Sequence, residues 1–298
     1  MTERKHRVDT LAATVLVACC FLWGLNQVAV KVALPEIPAL LQAGLRSLVG
    51  ALLVWVWSRS RGVALFGADG TLRAGLLTGA IFAAEFGAIF LGLQFTTASR
   101  MVVFLYLAPF VVALGMPYVA PAEKLAPPQV IGLSLAFAGV AWAFGEGFTQ
   151  SAGGAPPWWG DALGVLAALL WGATTLVIRA SALSHAPAEK TLFYQLGVSG
   201  VALTLAGVLA GEPWPAAVSR LALASFAFQS VIVTFASYLA WFWLIRNYPA
   251  TRLASFTLLT PVFGLLLGAW LLGEAVTLRL GAALLGVALG IWLVNRSR

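Results

Sequence analysis

The residues of this chain that could do chemistry are the few charged side chains inside long apolar segments. Glu85 is the carboxylate deepest within such a segment, and Arg46 is a base in a similar position. A charged group in hydrocarbon is costly, and in membrane proteins it marks a substrate or ion pathway. Glu85 could be a protonated structural acid, the partner of Arg46, a proton-coupling group or a contact for a substrate ammonium. Arg46 could instead bind a substrate carboxylate.

Two stripes of polar and aromatic residues follow helical spacing. The first contains Trp23, Asn26 and Gln27, and the second contains Trp171, Thr174 and Thr175. Residues three or four apart share one face of a helix. These polar groups either hydrogen-bond to neighbouring helices as packing contacts or line a central cavity. The remaining candidate substrate contacts are Tyr106, Tyr194 and Tyr238.

The elements that carry these residues must cross a membrane. Of the 298 residues, 61% are hydrophobic and 10% are charged, whereas about 25% are charged in soluble domains. This composition excludes a soluble enzyme, a disordered chain and a secreted disulfide scaffold. The apolar runs are continuous, which excludes a β-barrel because its strands alternate polar and apolar residues. The predicted fold class is an all-α polytopic membrane protein.

Ten apolar segments are predicted to be transmembrane helices, at about 20 residues per crossing. They are Leu11 to Ala33, Ile37 to Trp57, Leu72 to Leu93, Thr97 to Val119, Pro128 to Gly145, Trp159 to Ala180, Lys190 to Ala210, Val218 to Ile245, Ala250 to Leu272 and Leu278 to Val294. The first is too long for the apolar region of a signal peptide, and no small-residue cleavage pattern follows it. It is therefore predicted to be the first span.

The two halves of the chain carry the same short patterns in the same order. Trp23 to Lys31 reads WGLNQVAVK, and Trp171 to Arg179 reads WGATTLVIR. Ala98 to Pro109 reads ASRMVVFLYLAP, and Ala250 to Pro261 reads ATRLASFTLLTP. The copies lie 148 and 152 residues apart. Because each half holds five spans, an odd number, consecutive copies enter the membrane from opposite sides, and the repeat is predicted to be inverted.

This repeat defines the domain organisation. Residues 1–145 form the first five-helix repeat, residues 146–158 form a linker rich in glycine and proline, and residues 159–298 form the second repeat. Pro109 and Pro261 occupy the same place in the two copies, within predicted spans. Because proline lacks an amide hydrogen and its ring clashes with the preceding turn, each is predicted to bend its helix as a gate or hinge.

The basic residues predict the orientation. With the N-terminus in the cytoplasm, 13 Lys and Arg residues lie on the inner side and 5 on the outer side. Both termini are therefore predicted to be cytoplasmic. Lys31 with Arg179, and Arg100 with Arg252, are repeat partners on opposite faces. Topology alone does not explain these four bases.

Several kinds of site are missing from the sequence. No P-loop glycine pattern precedes a lysine, no His, Cys and carboxylate cluster has metal-ligand spacing, and no nucleic-acid-binding module is visible. The adjacent cysteines Cys19 and Cys20 would close no useful loop. The sequence therefore predicts no catalytic residue, no metal and no cofactor, and the protein is not expected to be an enzyme.

Ten spans in two inverted repeats resemble the drug/metabolite transporter superfamily, in particular its EamA-type exporters. The resemblance is carried by the Trp-Gly pairs at Trp23 and Trp171, by the A-S/T-R-x-x-x-F-x-x-x-x-P segments at Ala98 and Ala250, and by Glu123 and Glu274 after those segments. It implies a carrier without ATP hydrolysis that exports amino acids or other small metabolites across the bacterial inner membrane. Among characterised members, the chain is most similar to aromatic amino-acid exporters.

These observations predict a secondary transporter that works by alternating access and binds its substrate between the repeats. The substrate side chain would contact Trp23, Tyr106 and Trp171, its polar groups would meet Asn26, Gln27, Thr175, Tyr194 or Tyr238, and its charged ends would meet Arg46 and Glu85. Its partners would be this small molecule and the lipid bilayer, and the chain could act as a monomer. The alternatives are an exporter of cationic drugs or nucleotide-derived metabolites, and a structural or lipid-handling membrane protein without a solute cavity.

Overall fold

A computed structural model describes residues 9–119, 127–146, 158–248, 257 and 259–296, which form helices joined by short loops. Helices α1 to α6 are Thr10–Ala33, Ala39–Ser60, Leu72–Gly92, Ala98–Leu105, Ala108–Val119 and Pro127–Glu146. Helices α7 to α12 are Trp158–Arg179, Ala188–Leu209, Arg220–Ala227, Tyr238–Asn247, Leu259–Leu272 and Leu278–Arg296. A π-helical stretch, Phe228–Ser237, joins α9 to α10, and a short 3-10 helix, Ala182–His185, precedes α8.

Seven helices in the described part of the chain are long and apolar enough to cross a membrane. They are Thr10–Ala33, Ala39–Ser60, Leu72–Gly92, Ala98–Val119, Trp158–Arg179, Ala188–Leu209 and Arg220–Leu244. Three shorter apolar helices cover Val130–Ala143, Leu259–Leu272 and Leu278–Gly290. Large apolar side chains such as Leu52, Leu205 and Leu266 point outward and are more than half exposed, as expected for a surface in contact with lipid. The predicted all-α membrane fold is confirmed.

Glycines allow the helices that surround the interior to approach closely. A Cβ atom on Gly24 of α1 would lie 2.7 Å from the backbone nitrogen of Gly264 in α11. A Cβ atom on Gly172 of α7 would lie 2.5 Å from the Cβ of Val111 in α5. Small residues let transmembrane helices pack with their backbones in near contact. The glycine of each Trp-Gly pair is therefore explained by helix packing.

Two carboxylates from distant loops cap helix starts. Glu212, which follows α8, accepts hydrogen bonds at 3.0 and 2.8 Å from two amides in the first turn of α2. Glu274, which follows α11, accepts bonds at 2.7 and 2.9 Å from two amides at the start of α4. A carboxylate at a helix N-terminus satisfies free amides and interacts favourably with the helix dipole. These contacts tie α2 and α4 to the loops after α8 and α11.

The interior is organised around α2, α3, α7 and α8. Helix α2 packs along α8, α3 packs against both α7 and α8, and α1 packs against α11. The largest buried apolar cluster draws residues from α1, α2, α3, α4, α7 and α8. Helices α6 and α12 pack together at the side and share a second cluster with α4 and α5. The candidate polar residues of α1, α2 and α3 consequently lie in the interior of the bundle.

Candidate functional site

Arg46 lies in the middle of α2, and its side chain is completely buried. The guanidinium carbon is 4.2 Å from the ring centroid of Phe86 and 5.0 Å from that of Phe90, both on α3. The faces of aromatic rings attract a cation. The guanidinium makes no hydrogen bond of ordinary geometry, and the polar groups that act on it are Tyr238 and Glu85. Because a buried cation with unmade hydrogen bonds is costly, an anionic ligand group at this position would recover part of that cost.

Two other candidate residues are electrostatic neighbours of Arg46. They are Glu85, on α3, and Tyr238, at the start of α10. Glu85 is 5% exposed, and its Oε2 atom has no hydrogen-bond partner. Three helices thus bring together three residues that the sequence marked as candidates.

The candidate aromatic residues form two separate pairs. Trp23 donates a hydrogen bond from Nε1 to Oγ of Ser237 at 2.9 Å, and its ring meets Trp241 edge to face at 5.5 Å between centroids. Tyr106 meets Trp171 edge to face at 6.1 Å. Such edge-to-face contacts are the preferred geometry of aromatic pairs. Trp23 is therefore next to the helix that carries Tyr238, whereas Trp171 is held by the segment between α4 and α5.

Three amide and hydroxyl groups near the centre of α1 and α7 are buried without partners. Asn26 is 5% exposed and Gln27 is 7% exposed, and the amide oxygen of each lacks a hydrogen bond. On α7 the corresponding residue is Thr174, which is 3% exposed and whose hydroxyl lacks a partner. The predicted residue Thr175 donates instead to the backbone oxygen of Trp171 at 3.1 Å. Of the two threonines on the predicted stripe, Thr174 is therefore the buried one.

Tyr194 lies away from the other candidates. Its ring packs on Gly75 near the start of α3, and its hydroxyl is 3.5 Å from the Thr71 hydroxyl. Glu85 follows Gly75 by ten residues on the same helix, which corresponds to about 15 Å along its axis. The structure does not bring Tyr194 together with Arg46 and Glu85.

The two prolines differ in their described surroundings. The fourth predicted span is interrupted at Tyr106 and Leu107, so that α4 ends at Leu105 and α5 begins at Ala108, with Pro109 as its second residue. The amide of Leu107 donates to Phe104 O at 3.0 Å in a tight turn. Pro261 lies in the first turn of α11, where a missing amide hydrogen costs little. Its repeat segment before Thr257 lies outside the described residues.

A buried ion pair joins α4 to α7 at one end of the bundle, and no single-segment pattern predicted it. Asp161 accepts a hydrogen bond from the Thr96 hydroxyl at 2.6 Å, and from Nε and Nη2 of Arg100 at 3.1 and 2.5 Å. Arg100 also donates to the backbone oxygen of Ala143 at 2.7 Å. This contact accounts for Arg100, which topology left unexplained.

A similar contact joins α1 to the end of α10. The Tyr248 hydroxyl lies 3.0 and 2.9 Å from the two carboxylate oxygens of Asp9. Asp9 and Asp161 are 152 residues apart, and so are Thr96 and Tyr248. The same separation relates Arg100 to Arg252, although Arg252, like Glu123, is outside the described residues. A search of the sequence for acids separated by the repeat distance would have identified Asp9 and Asp161 as repeat partners, although not the residues that each one contacts.

Further polar contacts lie at the two ends of the bundle. Lys31 donates from Nζ to the backbone oxygen of Thr96, at the end that holds Asp161. An open cleft at this end is lined by Lys31, Leu34, Pro35, Pro38, Ala39, Leu93, Gln94 and Glu212. At the other end, Lys190 donates to Asp69 at 2.5 Å. The hydrogen bonds from Lys190 and Thr71 hold the pKa of the Asp69 carboxyl below its ordinary value.

The sequence was compared with models of known protein families. The model of the EamA-like transporter family matches residues 10–145 and 158–296. The chain belongs to the EamA-like transporter family. It is accordingly a multi-pass membrane transporter of small molecules, and the family indicates a transporter rather than an enzyme.

Individual relatives agree with this family. The chain is 29% identical to the uncharacterized transporter YvbV of Bacillus subtilis, over 98% of this chain and 93% of the relative. It is 28% identical to a probable amino-acid metabolite efflux pump of Salmonella typhimurium, over 90% of this chain and 89% of that protein. A protein solved by crystallography superposes with a TM-score of 0.67 over 97% of this chain and 99% of its own. At 20% identity, that likeness shows the fold alone.

Proposed function

We propose that this EamA transporter is a secondary exporter of amino acids or closely related metabolites across the bacterial inner membrane. The observation that carries the proposal is the fully buried guanidinium of Arg46, which packs on two aromatic rings, has Tyr238 and Glu85 as polar neighbours, and makes no hydrogen bond of ordinary geometry. A substrate carboxylate can accept paired hydrogen bonds from such a group and neutralise its charge. The name of the Salmonella relative, a probable amino-acid metabolite efflux pump, supports the same substrate class.

The proposed site lies between α1, α2, α3 and α10. Its polar residues are Arg46, Glu85, Tyr238, Asn26 and Gln27, and Thr174 faces the interior from α7. We propose aromatic amino acids as preferred substrates, since Trp23 and the buried Tyr106 offer ring surfaces within the bundle; Trp171, which Tyr106 contacts, is 37% exposed.

The proposed topology has ten spans in two inverted five-helix repeats, with both termini in the cytoplasm. The seven long and three shorter apolar helices correspond to the ten apolar segments of the sequence. The two matched segments, 10–145 and 158–296, have nearly equal lengths. Helix contacts also recur between the halves, because α1 packs on α11 as α7 packs on α5, and α3 packs on α7 as the π-helical stretch packs on α1.

Alternating access between the halves is supported by the acids at the two ends of the bundle. Asp161 joins α7 to α4 at the end where α1 finishes, and Asp9 joins α1 to Tyr248 at the end where α1 begins. In the proposed orientation the first contact closes the periplasmic side and the second closes the cytoplasmic side. Opening one side requires one contact to break while the other holds. The chain interruption before Pro109 offers a place for the helix to bend.

A flux assay in proteoliposomes tests the transport function. Labelled aromatic and aliphatic amino acids would be supplied to wild type, Arg46→Gln, Arg46→Lys and the control Arg59→Gln, which changes an exposed arginine on the same helix. Loss of a charge-assisted hydrogen-bonded pair costs about 1.5–3 kcal/mol per bond, so Arg46→Gln should lower flux by at least about tenfold. Absence of amino-acid flux in wild type would refute the function, and equal flux in the Arg46 and Arg59 variants would refute the site.

Side-resolved thiol labelling tests alternating access. A Cys19→Ala, Cys20→Ala background with Thr174→Cys carries one interior thiol, which an impermeant maleimide can approach from either face of oriented vesicles. Asp161→Asn, or the milder Thr96→Val, should increase labelling from the periplasmic face. Tyr248→Phe should increase labelling from the cytoplasmic face. The control Asn247→Ala removes only a hydrogen bond within α10, and equal changes on both faces in the Asp161 and Tyr248 variants would contradict alternating access.

A further inference from the structure

Gln42 is a buried polar residue that no sequence pattern marked. It precedes Arg46 by one helical turn on α2, and both side chains are completely buried. Residues at this spacing are neighbours on one helix face, with Cβ atoms about 5–6 Å apart. The amide oxygen of Gln42 makes no hydrogen bond, and the guanidinium of Arg46 has Tyr238 and Glu85 as polar neighbours but no hydrogen bond of ordinary geometry. The interior face of α2 therefore presents an acceptor and a cationic donor, one helical turn apart, that both have unused hydrogen-bonding capacity.

The nitrogen of the Gln42 amide holds the side chain in place. It lies 3.4 Å from the backbone oxygen of Val30 on α1 and 3.3 Å from Oε1 of Gln229 in the π-helical stretch. Both contacts use the amide nitrogen of Gln42, so that its Oε1 makes no hydrogen bond, and neither does Nε2 of Gln229. An unpaired buried carbonyl oxygen destabilises the protein, and a hydrogen-bond donor from a ligand would remove that penalty.

The π-helical stretch positions Gln229 for this contact. Gln229 is completely buried, and its backbone oxygen accepts a hydrogen bond from the Thr234 hydroxyl at 2.8 Å, five residues later. Helices of this type are rare and frequently occur at functional sites, because the wider turn redirects side chains. Here the wider turn brings Gln229 against Gln42 across the interface between α2 and the π-helical stretch.

We propose that Gln42 and Arg46 together recognise the main-chain groups of an α-amino acid. Arg46 donates to the substrate carboxylate, and Oε1 of Gln42 accepts a hydrogen bond from the substrate ammonium. These two substrate groups are attached to the same carbon, so two protein groups one helical turn apart can reach both. The ammonium has three donors, and the unpaired amide oxygens of Asn26 and Gln27 on α1 are further acceptors for it. This inference rests on the proposed function. It adds Gln42, which Gln229 positions, to the residues that determine substrate specificity.

The pair predicts how the transporter discriminates between amino acids and simpler acids. A carboxylic acid without the amino group would satisfy Arg46 and leave Gln42 unpaired, whereas an amine without the carboxylate would leave Arg46 unpaired. A site built to bind a polar group rejects the analogue that lacks this group, because its own buried atoms then stay unsatisfied. Phenylalanine should therefore bind at least tenfold more tightly than 3-phenylpropionate or 2-phenylethylamine.

Competition in the flux assay and ligand-induced thermal stabilisation test this pair with those three compounds. Gln42→Met should weaken phenylalanine binding about tenfold and leave 3-phenylpropionate binding unchanged, so that the preference disappears. Arg46→Gln should weaken binding of both acids. Gln229→Met, which removes only the residue that orients Gln42, should reduce the preference in part and keeps the test valid if Gln42→Met folds poorly. The control is Gln94→Met, which changes an exposed glutamine.

Two results would overturn the inference. One is an equal loss of affinity for phenylalanine and 3-phenylpropionate in Gln42→Met, which would mean that the residue supports packing alone. The other is an unchanged preference in that variant. If wild type transports phenylalanine and either result appears, the pair is wrong and the proposed function stands. If wild type binds no amino acid, the proposed function fails and the inference fails with it.

Discussion

The close contact between α2 and α8 determines where Arg46 lies, and the substitution Gly44→Ala tests it. Gly44 precedes Arg46 by two residues. A Cβ atom at Gly44 would be 2.4 Å from the hydroxyl of Thr204 and 2.5 Å from its backbone nitrogen. A side-chain hydroxyl can rotate away, but a backbone nitrogen cannot. Ordinary contacts begin at about 3.4 Å. Because the protein interior is close-packed and offers no empty space, the two helices must separate by about 1 Å.

The expected cost follows from two opposing effects. Overpacking a well-packed interface costs about 1–3 kcal/mol. Replacing glycine by alanine inside a helix returns about 0.8–1 kcal/mol through helix propensity. Gly197→Ala on the facing helix α8 is the matched control, because a Cβ there would meet nothing within 4 Å. The propensity gain is common to both variants, so Gly197→Ala should be more stable than Gly44→Ala by about 1–3 kcal/mol.

Reversible unfolding in mixed micelles, followed as a function of denaturing detergent, measures this difference. Gly197→Ala should be as stable as wild type or slightly more stable, and Gly44→Ala should be less stable than the control. Transport should fall in Gly44→Ala and stay near wild type in Gly197→Ala, because only the first variant displaces Arg46. Equal unfolding free energies for the two variants would refute the argument that this glycine sets the distance between α2 and α8.

Two further predictions concern the ends of the bundle. Arg100→Gln and Asp161→Asn should each destabilise the protein by about 3–5 kcal/mol, because each removes one partner of a buried ion pair. The double variant should be less destabilised than the sum of the two single variants in the same unfolding assay, and strict additivity would show that the two residues are not coupled. Asp69→Asn should lower thermal stability at pH 7. The Lys190 contact lowers the pKa of Asp69 below 3.8, so its stabilising effect is complete above that pH and is lost as the pH falls through the pKa of the folded state. The difference from wild type should therefore narrow in acid, and a difference that does not depend on pH would contradict this role.

The sequence predicted the candidate site in part. Arg46 and Glu85 stood out because a charge in an apolar segment is costly wherever the helix lies, and the structure brings them together with Tyr238. The sequence did not separate Thr174, which is buried, from Thr175, because one residue changes the helix face by about 100° and the apolar pattern of α7 is too uniform to distinguish the two positions. The sequence predicted Tyr194, like Arg46, as a substrate contact. The depth of Tyr194 in the bundle relative to Arg46 depends on how α8 packs against α2 and α3, and the sequence of α8 alone does not specify it.

The sequence by itself determined the class of protein, because the length and continuity of apolar runs are properties of the chain alone. It also marked the recurrent Trp-Gly and Arg-containing segments, whose order does not depend on packing. The tertiary structure alone decided which polar groups meet: Asp161 with Arg100, Asp9 with Tyr248, and Gln42 with Gln229. Such pairs depend on the crossing angles and relative heights of helices that are 61 to 239 residues apart in sequence. The sequence around Gln42 does not indicate that Gln229 will be its partner.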